Sequence, residues 1–307
     1  MIKNRTPFPG RRLFADRFSE KILHGVVIVS GLILILITFA LYYRSRPVLA
    51  LQSFPSLLLS QGWHPSRGEF GFLPFIAGTL WVTGVAMVIA MPICLLTSIY
   101  LVEYSSKTLR EWINPFIDIL AGIPSVVYGI WGLLIIVPFI KGYLAPLFGI
   151  SSSGYCVLAG GMVLAVMVVP VVIHISMEVL KTVPNELRDA SMSLGATKWQ
   201  TVKHVVMRRA MPGIVAAMVL GLSRAFGETI AVLMVVGNLA RVPKSVFDPG
   251  YPLPALIANN YGEMLSIPLY DSALLFAALL LLLVVLYFNI VSRMILSGTR
   301  WSHYYYA

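Results

Sequence analysis

Charge is scarce in this chain. Only 12% of its 307 residues are Asp, Glu, Lys or Arg, against about 25% in soluble domains. So little polar surface excludes a domain coated for water. Cysteine is nearly absent: Cys94 and Cys156 lie in or beside apolar runs and read as small buried hydrophobes, not a disulfide framework or a metal site. No Gly-Lys-Ser/Thr phosphate-binding loop occurs, so the chain is not itself an ATPase of that type. No metal-ligand cluster and no nucleophile–base spacing stands out, so neither a metal site nor an active site is expected. The net charge of +10 forms no basic stripe with interleaved aromatics, which argues against nucleic acid as a partner.

What the chain has instead is apolar residue, 58% of the total. A membrane-spanning helix needs about 20 mostly apolar residues. Six segments qualify, about 24–43, 73–102, 116–140, 155–177, 213–237 and 272–296. The expectation is an all-α membrane protein in contact with lipid, with one domain over 24–296 between a terminal segment 1–23 and a tail 297–307. The first apolar run is too long for a cleavable signal and reads as an uncleaved span.

Orientation follows from Lys and Arg. The N-terminus, 103–115, 178–212 and the tail with Arg293 hold 16, whereas 44–72, 141–154 and 238–271 hold 6. That bias places both termini in the cytoplasm of a bacterial cell, in its inner membrane. Trp301 and Tyr304 to Tyr306 then suit an aromatic anchor at the inner interface. Leu13, Phe14, Phe18 and Ile22 recur at helical spacing among Arg12, Arg17 and Lys21, as in a helix lying on the inner leaflet, or an ordinary charged tail. Five prolines in 238–271 argue against a long helix there, though Ala255 to Leu265 can form a short one; the segment is a lid, a docking surface or a plain connector.

The inner loop 178–212 reads as helix, glycine turn, helix. Pro184 suits a first helical turn, and Glu186 and Asp189 place negative charge near its positive end. Leu187, Ala190, Ser191 and Leu194 form an apolar or small face, and Gly195 stops the helix. Thr197 with Gln200 fits a capping box, and Trp199, Val202, Val205 and Val206 supply an apolar face. Periodicity alone leaves open a socketed helical pair or a hairpin lying on the bilayer.

Asp189-Ala190-Ser191, with Gly195 six residues after Asp189 and then Val205 and Met207, resembles the EAA loop of ABC importer permeases. The resemblance implies that Asp189, Ala190, Leu194, Gly195 and Ala196 dock on a cytoplasmic ATPase dimer, which carries the ATP and Mg; no cofactor is expected on this chain. Asp-Ala-Ser stands for the usual Glu-Ala-Ala, and Arg208 for an expected proline. Further stretches, Gly78-Thr79-Leu80, Ile99 to Tyr104, Ile119 to Gly129 and Arg224 to Met234 followed by Gly237-Asn238, resemble Pst-type phosphate permeases, the PstC-like rather than the PstA-like kind. This implies a type I, MetI-like permease that pairs with a PstA-like second permease. It also implies delivery of inorganic phosphate by an extracytoplasmic phosphate-binding protein.

The fifth span agrees from its own residues. Arg224 lies 12 residues beyond Pro212, about 18 Å along a helix and near mid-membrane. Unpaired there it costs about 2.5–3.5 kcal/mol. Glu228, four residues on, stands on the same helical face. Two readings follow: a structural ion pair, or a substrate path in which the Arg224 fork grips phosphate oxygens and Glu228 accepts a hydrogen bond from a P–OH. Ser223 keeps the neighbourhood small, and Thr229 adds a hydroxyl if turned inward. Pro124 and Ser125 interrupt the third span as a packed kink or a pathway hinge. Asp118, after Pro115, reads as complementing a helix start, and His174 as a packing residue. Charge alone does not separate phosphate from sulfate, molybdate or tungstate; a secondary transporter, which has no need of the 178–212 loop, is the rival of another class.

Overall fold

The computed structural model describes residues 9–262 and 269–301. Among these, six helices are long and apolar enough to cross a membrane: Glu20–Leu51, Leu73–Tyr104, Ser125–Leu147, Val157–Lys181, Lys198–Gly227 and Tyr270–Val291. The count matches the hydropathy reading; several boundaries do not, and the reasons are local.

The first helix, α1, is continuous over Pro9–Leu51. The expected surface helix is therefore not a separate element, and the helix runs eight residues past the expected end. Its apolar side chains, Leu32, Ile35, Leu36 and Phe39 among them, are exposed, as suits lipid contact, and it packs on the last helix, α11, Tyr270–Trp301. The tyrosines of the expected aromatic anchor lie outside the described residues.

Segment 44–72 is not a bare loop. It contains α2, Phe54–Leu59, and an antiparallel pair, β1 Trp63–His64 and β2 Glu69–Phe70. Trp63 stacks edge-on against Phe70, Phe72, Phe75 and Tyr270, the Phe75 ring centroid 4.7 Å away. Segment 238–262 joins this cap. Its short helix, Leu253–Asn260, begins two residues before the expected one and buries Leu253, Ala255 and Leu256. The Leu253 N–H donates to the Thr79 hydroxyl at 2.9 Å. Residues 251–256 are thus packed onto the bundle rather than forming a loose lid.

At the centre, α3 (Leu73–Ile99) lies along α6 (Val157–Lys181). Ala86, Ala90 and Cys94 on one and Ala159, Val163, Ala165 and Val168 on the other are buried, small residues that let the backbones approach. Cys156 is also buried, and both cysteines are free thiols.

The third span departs most from expectation. Residues 116–122 belong to a separate helix, α4, Lys107–Gly122, and the spanning run, α5, is Ser125–Leu147. Pro124 has no N–H and drives Ile123 into an extended conformation, observed at φ −64°, ψ 130°. Within α5, π turns occupy Gly132–Ile136 and Ile140–Leu144. The rings of Pro138 and Pro146 clash with carbonyls four residues back, at 134 and 142, the middle of each turn.

Candidate functional site

Two interruptions of the helices meet at membrane depth. The fifth spanning helix, α8, covers Lys198–Gly227 rather than 213–237. It stops at Gly227; Glu228 is extended at φ −72°, ψ 126°, and a short helix, Ile230–Leu233, follows. Gly227 lines an apolar groove of about 600 Å³ with Leu34 and Leu41 of α1 and Ala278, Leu282 and Val285 of α11. These residues lie within the first and last spans, so the break is inside the membrane. Residues 230–233 pack on the start of α5, just after the Ile123-Pro124 break. Gly129 lies in this contact, where a Cβ would stand 3.2 Å from the Ala231 Cα and 2.5 Å from the Met234 sulfur. Tyr128 closes the other side, its hydroxyl donating to the Leu120 carbonyl across the Pro124 break at 2.7 Å.

The expected site residues fall around these breaks. Arg224, one turn before the end of α8, is exposed in the isolated chain and within electrostatic reach of the Tyr128 phenol. It makes no ion pair among the described residues. The ion pair with Glu228 is thus corrected: the helix ends at Gly227, so helical four-residue spacing does not apply. One Glu228 oxygen accepts the Ala231 N–H at 3.3 Å instead. The Thr229 hydroxyl turns back to the Gly227 carbonyl at 3.3 Å. The Ser223 hydroxyl is buried with no hydrogen-bond partner among the described residues.

Two weaker readings are corrected. Asp118 is not at a helix start, because Pro115 lies inside α4. It faces His174 of α6, Oδ1 to Nδ1 3.7 Å, with both side chains more than half exposed; His174 is therefore not packed away.

At one end of the bundle, residues 185–193 and the start of α8 form the helical hairpin, joined by 194–197. Pro184 is the N-cap rather than a first-turn residue, and the helix, α7, is Asn185–Ser193. It ends in a Schellman motif: Gly195 has φ +86°, its N–H donates to Met192 O at 2.9 Å, and the Ala196 N–H donates to Ser191 O at 3.3 Å. The capping box of Thr197 and Gln200 is formed in both directions. No residue of α7 is buried. Asp189 and Ala190 are exposed, Ala196 partly so, and Leu194 is 90% exposed. Val202 and Val206 turn into the bundle while Trp199 stays outside.

A third feature was not singled out from sequence. The end of α3 is a π turn, Tyr100–Tyr104, where cations from three other elements converge. Arg188 of α7 meets Glu103, Nη2 to Oε1 2.7 Å, with both side chains at most 14% exposed. The same guanidinium donates to the Val183 carbonyl and, at 3.2 Å, to Leu180 O at the end of α6. Arg110 of α4 takes the Leu101 and Val102 carbonyls at 2.8 and 2.7 Å. Lys198 lies 4.8 Å over the Tyr104 ring. Glu103 and Arg188 are 85 positions apart, so no local pattern pairs them.

A family model described as the binding-protein-dependent transport system inner membrane component matches residues 94–301, which contain both breaks and the hairpin. The chain belongs to this family. The permease is 35% identical to the phosphate transport system permease protein PstC of Xylella fastidiosa (strain Temecula1), over 96% of either chain. It is 37% identical to the probable ABC transporter permease protein YqgH of Bacillus subtilis (strain 168), over 86% of this chain and 88% of that one. Among solved structures it is similar to the MetNI methionine ABC transporter in an inward-facing conformation, with TM-score 0.55 and 22% identity, covering 72% of this chain and 92% of that one. A bacterial alginate ABC transporter gives TM-score 0.58 at 16% identity, covering 93% and 98%. The structural likenesses carry the fold, that of a MetI-type importer permease. The permease is thus a multi-pass inner-membrane component, not the ATPase subunit, and its partners include a solute-binding protein and an ATPase.

Proposed function

We propose that this permease forms half of the translocation path of an ATP-driven importer for inorganic phosphate, and that Arg224 meets the anion in that path. The observation that carries the proposal is an arginine at membrane depth, exposed and without an ion pair among the described residues, beside two interrupted helices. Lipid contact there costs about 2.5–3.5 kcal/mol, and non-helical backbone at that depth is tolerated only against protein or a water-filled cavity. A polar path shared with a second, PstA-like permease satisfies both conditions. The guanidinium offers phosphate a permanent charge and a two-pronged donor. The free oxygen of Glu228 accepts from a P–OH and keeps Arg224 from retaining the anion. Ser223 and Thr229 add hydroxyls, and Pro124 with Ser125 gives the neighbouring helix a point to flex. The names of the relatives support phosphate as the substrate.

The remaining parts follow the same reading. Both termini and the helical hairpin face the cytoplasm, where Asp189, Ala190, Leu194, Gly195 and Ala196 dock on an ATPase dimer holding ATP and Mg. An extracytoplasmic phosphate-binding protein delivers substrate to the aromatic cap. The test is uptake of labelled phosphate into vesicles holding the assembled complex, with ATP inside and the binding protein outside. ATP-dependent uptake that excess sulfate, molybdate and tungstate leave unchanged is expected. Transport that persists without the ATPase, or that another oxyanion suppresses, refutes the assignment.

A further inference from the structure

Docking moves α7, and that movement has to reach the spanning helices. Apolar packing is a poor route, because α7 buries none of its residues. Besides the two short linkers, the side-chain ties from α7 to the rest of the described residues are few. Ser191 and Thr201 share a hydroxyl contact at 3.0 Å. The other tie is Arg188, whose fork spans the ends of α3 and α6 at once: Nη2 and Nε both reach the Glu103 carboxylate, at 2.7 and 3.3 Å, while Leu180 O and Val183 O take the remaining donors.

We infer that the Glu103–Arg188 pair is a positioning strut that transmits displacement of α7 into the end of α3 and, through Arg110, into α4. The inference rests on the reading of α7 as the ATPase-docking helix. A two-pronged arginine–carboxylate contact fixes both distance and orientation, and at this burial it is little screened by salt. The π turn at Tyr100–Tyr104 matters because its loosened carbonyls are the ones Arg110 grips. Since α4 ends at Gly122, beside Pro124, a push that enters it at Arg110 is carried about 18 Å along α4. It arrives beside the start of α5, which packs against the short helix Ile230–Leu233 that follows α8. The strut thus joins the hairpin to the region of Arg224 through one chain of contacts.

The experiment uses the assembled complex in vesicles, with two readings: ATPase subunits bound per permease, and labelled phosphate taken up per ATP hydrolysed. Glu103→Gln and Arg188→Met keep the ATPase bound but lower uptake per ATP by about tenfold, within the range of ordinary coupling energies. Arg188→Lys, which keeps the charge and loses the fork, falls between. The exchange Glu103→Arg/Arg188→Glu restores part of the ratio, because it re-forms the ion pair but not the bonds to Leu180 O and Val183 O; a general folding defect shows no such recovery. Wild-type uptake per ATP in both single variants overturns the strut. Loss of bound ATPase in those variants without recovery in the exchange overturns it too, because Arg188 then belongs to the docking surface. Leu194→Arg tests the underlying reading separately: if that variant keeps its ATPase, α7 is not the docking helix.

Discussion

Replacing Gly195 with valine isolates a backbone effect. The residue stands at φ +86° with nothing within 4 Å of the position a Cβ would take, so no packing clash contributes. A left-handed conformation costs an L-residue about 1–2 kcal/mol, and β-branching puts valine at the upper end. The intact Schellman turn therefore loses about a factor of 5–30 in population, and the docking hairpin loses its shape in proportion. Because Gly195 is exposed and outside the spans, insertion and assembly of the permease are unaffected. Titrating the ATPase onto the permease in detergent should give binding weakened about 5- to 30-fold for Gly195→Val. Gly195→Asn, whose side chain tolerates this conformation, should lie close to wild type. Equal binding by Gly195→Val and wild type refutes the argument that this turn shapes the docking element.

Other outcomes follow from the same geometry. Gly129→Ala pushes against Ala231 and Met234 and should lower the thermal stability of the complex, at a cost of about 1–3 kcal/mol; adding Met234→Ala should recover only part, since the Ala231 backbone stays in place. A reporter enzyme active only outside the cytoplasm should work when inserted at Gly68 or after Pro243, and fail between Gly195 and Thr197; the reverse pattern overturns the reading of the charge bias. Breaking the strut at Glu103 or Arg188 should separate ATP hydrolysis from uptake, as described above.

The parts legible from sequence were those set by local rules. Six apolar runs implied six spans, and the Schellman glycine and the capping box sit where Gly195 and Thr197 with Gln200 placed them. Boundaries failed where hydropathy continued past a backbone event. Apolar residues resume at Val126 and at Ile230, yet the helix stops before Pro124 in one case and at an extended Glu228 in the other. That second stop also removed the Arg224–Glu228 pair, which assumed an unbroken helix. The aromatic cap and the Glu103–Arg188 strut were illegible because they join distant segments. Trp63 meets Tyr270, and an arginine before Asp189 carries no mark of a partner 85 positions away.

Whether Arg224 faces the anion is read most directly from labelled-phosphate uptake in vesicles, normalised to assembled complex, for Arg224→Leu, Arg224→Lys and Glu228→Gln. Glutamine retains an oxygen for the Ala231 N–H, so this last change removes charge without removing the cap. Losing a charged hydrogen bond to substrate is worth about 1.5–3 kcal/mol, so Arg224→Leu should assemble normally yet import about ten- to hundredfold more slowly. Arg224→Lys should be partly active, and Glu228→Gln should hold the anion longer and turn over more slowly. Wild-type uptake by Arg224→Leu would mean that Arg224 does not meet the anion.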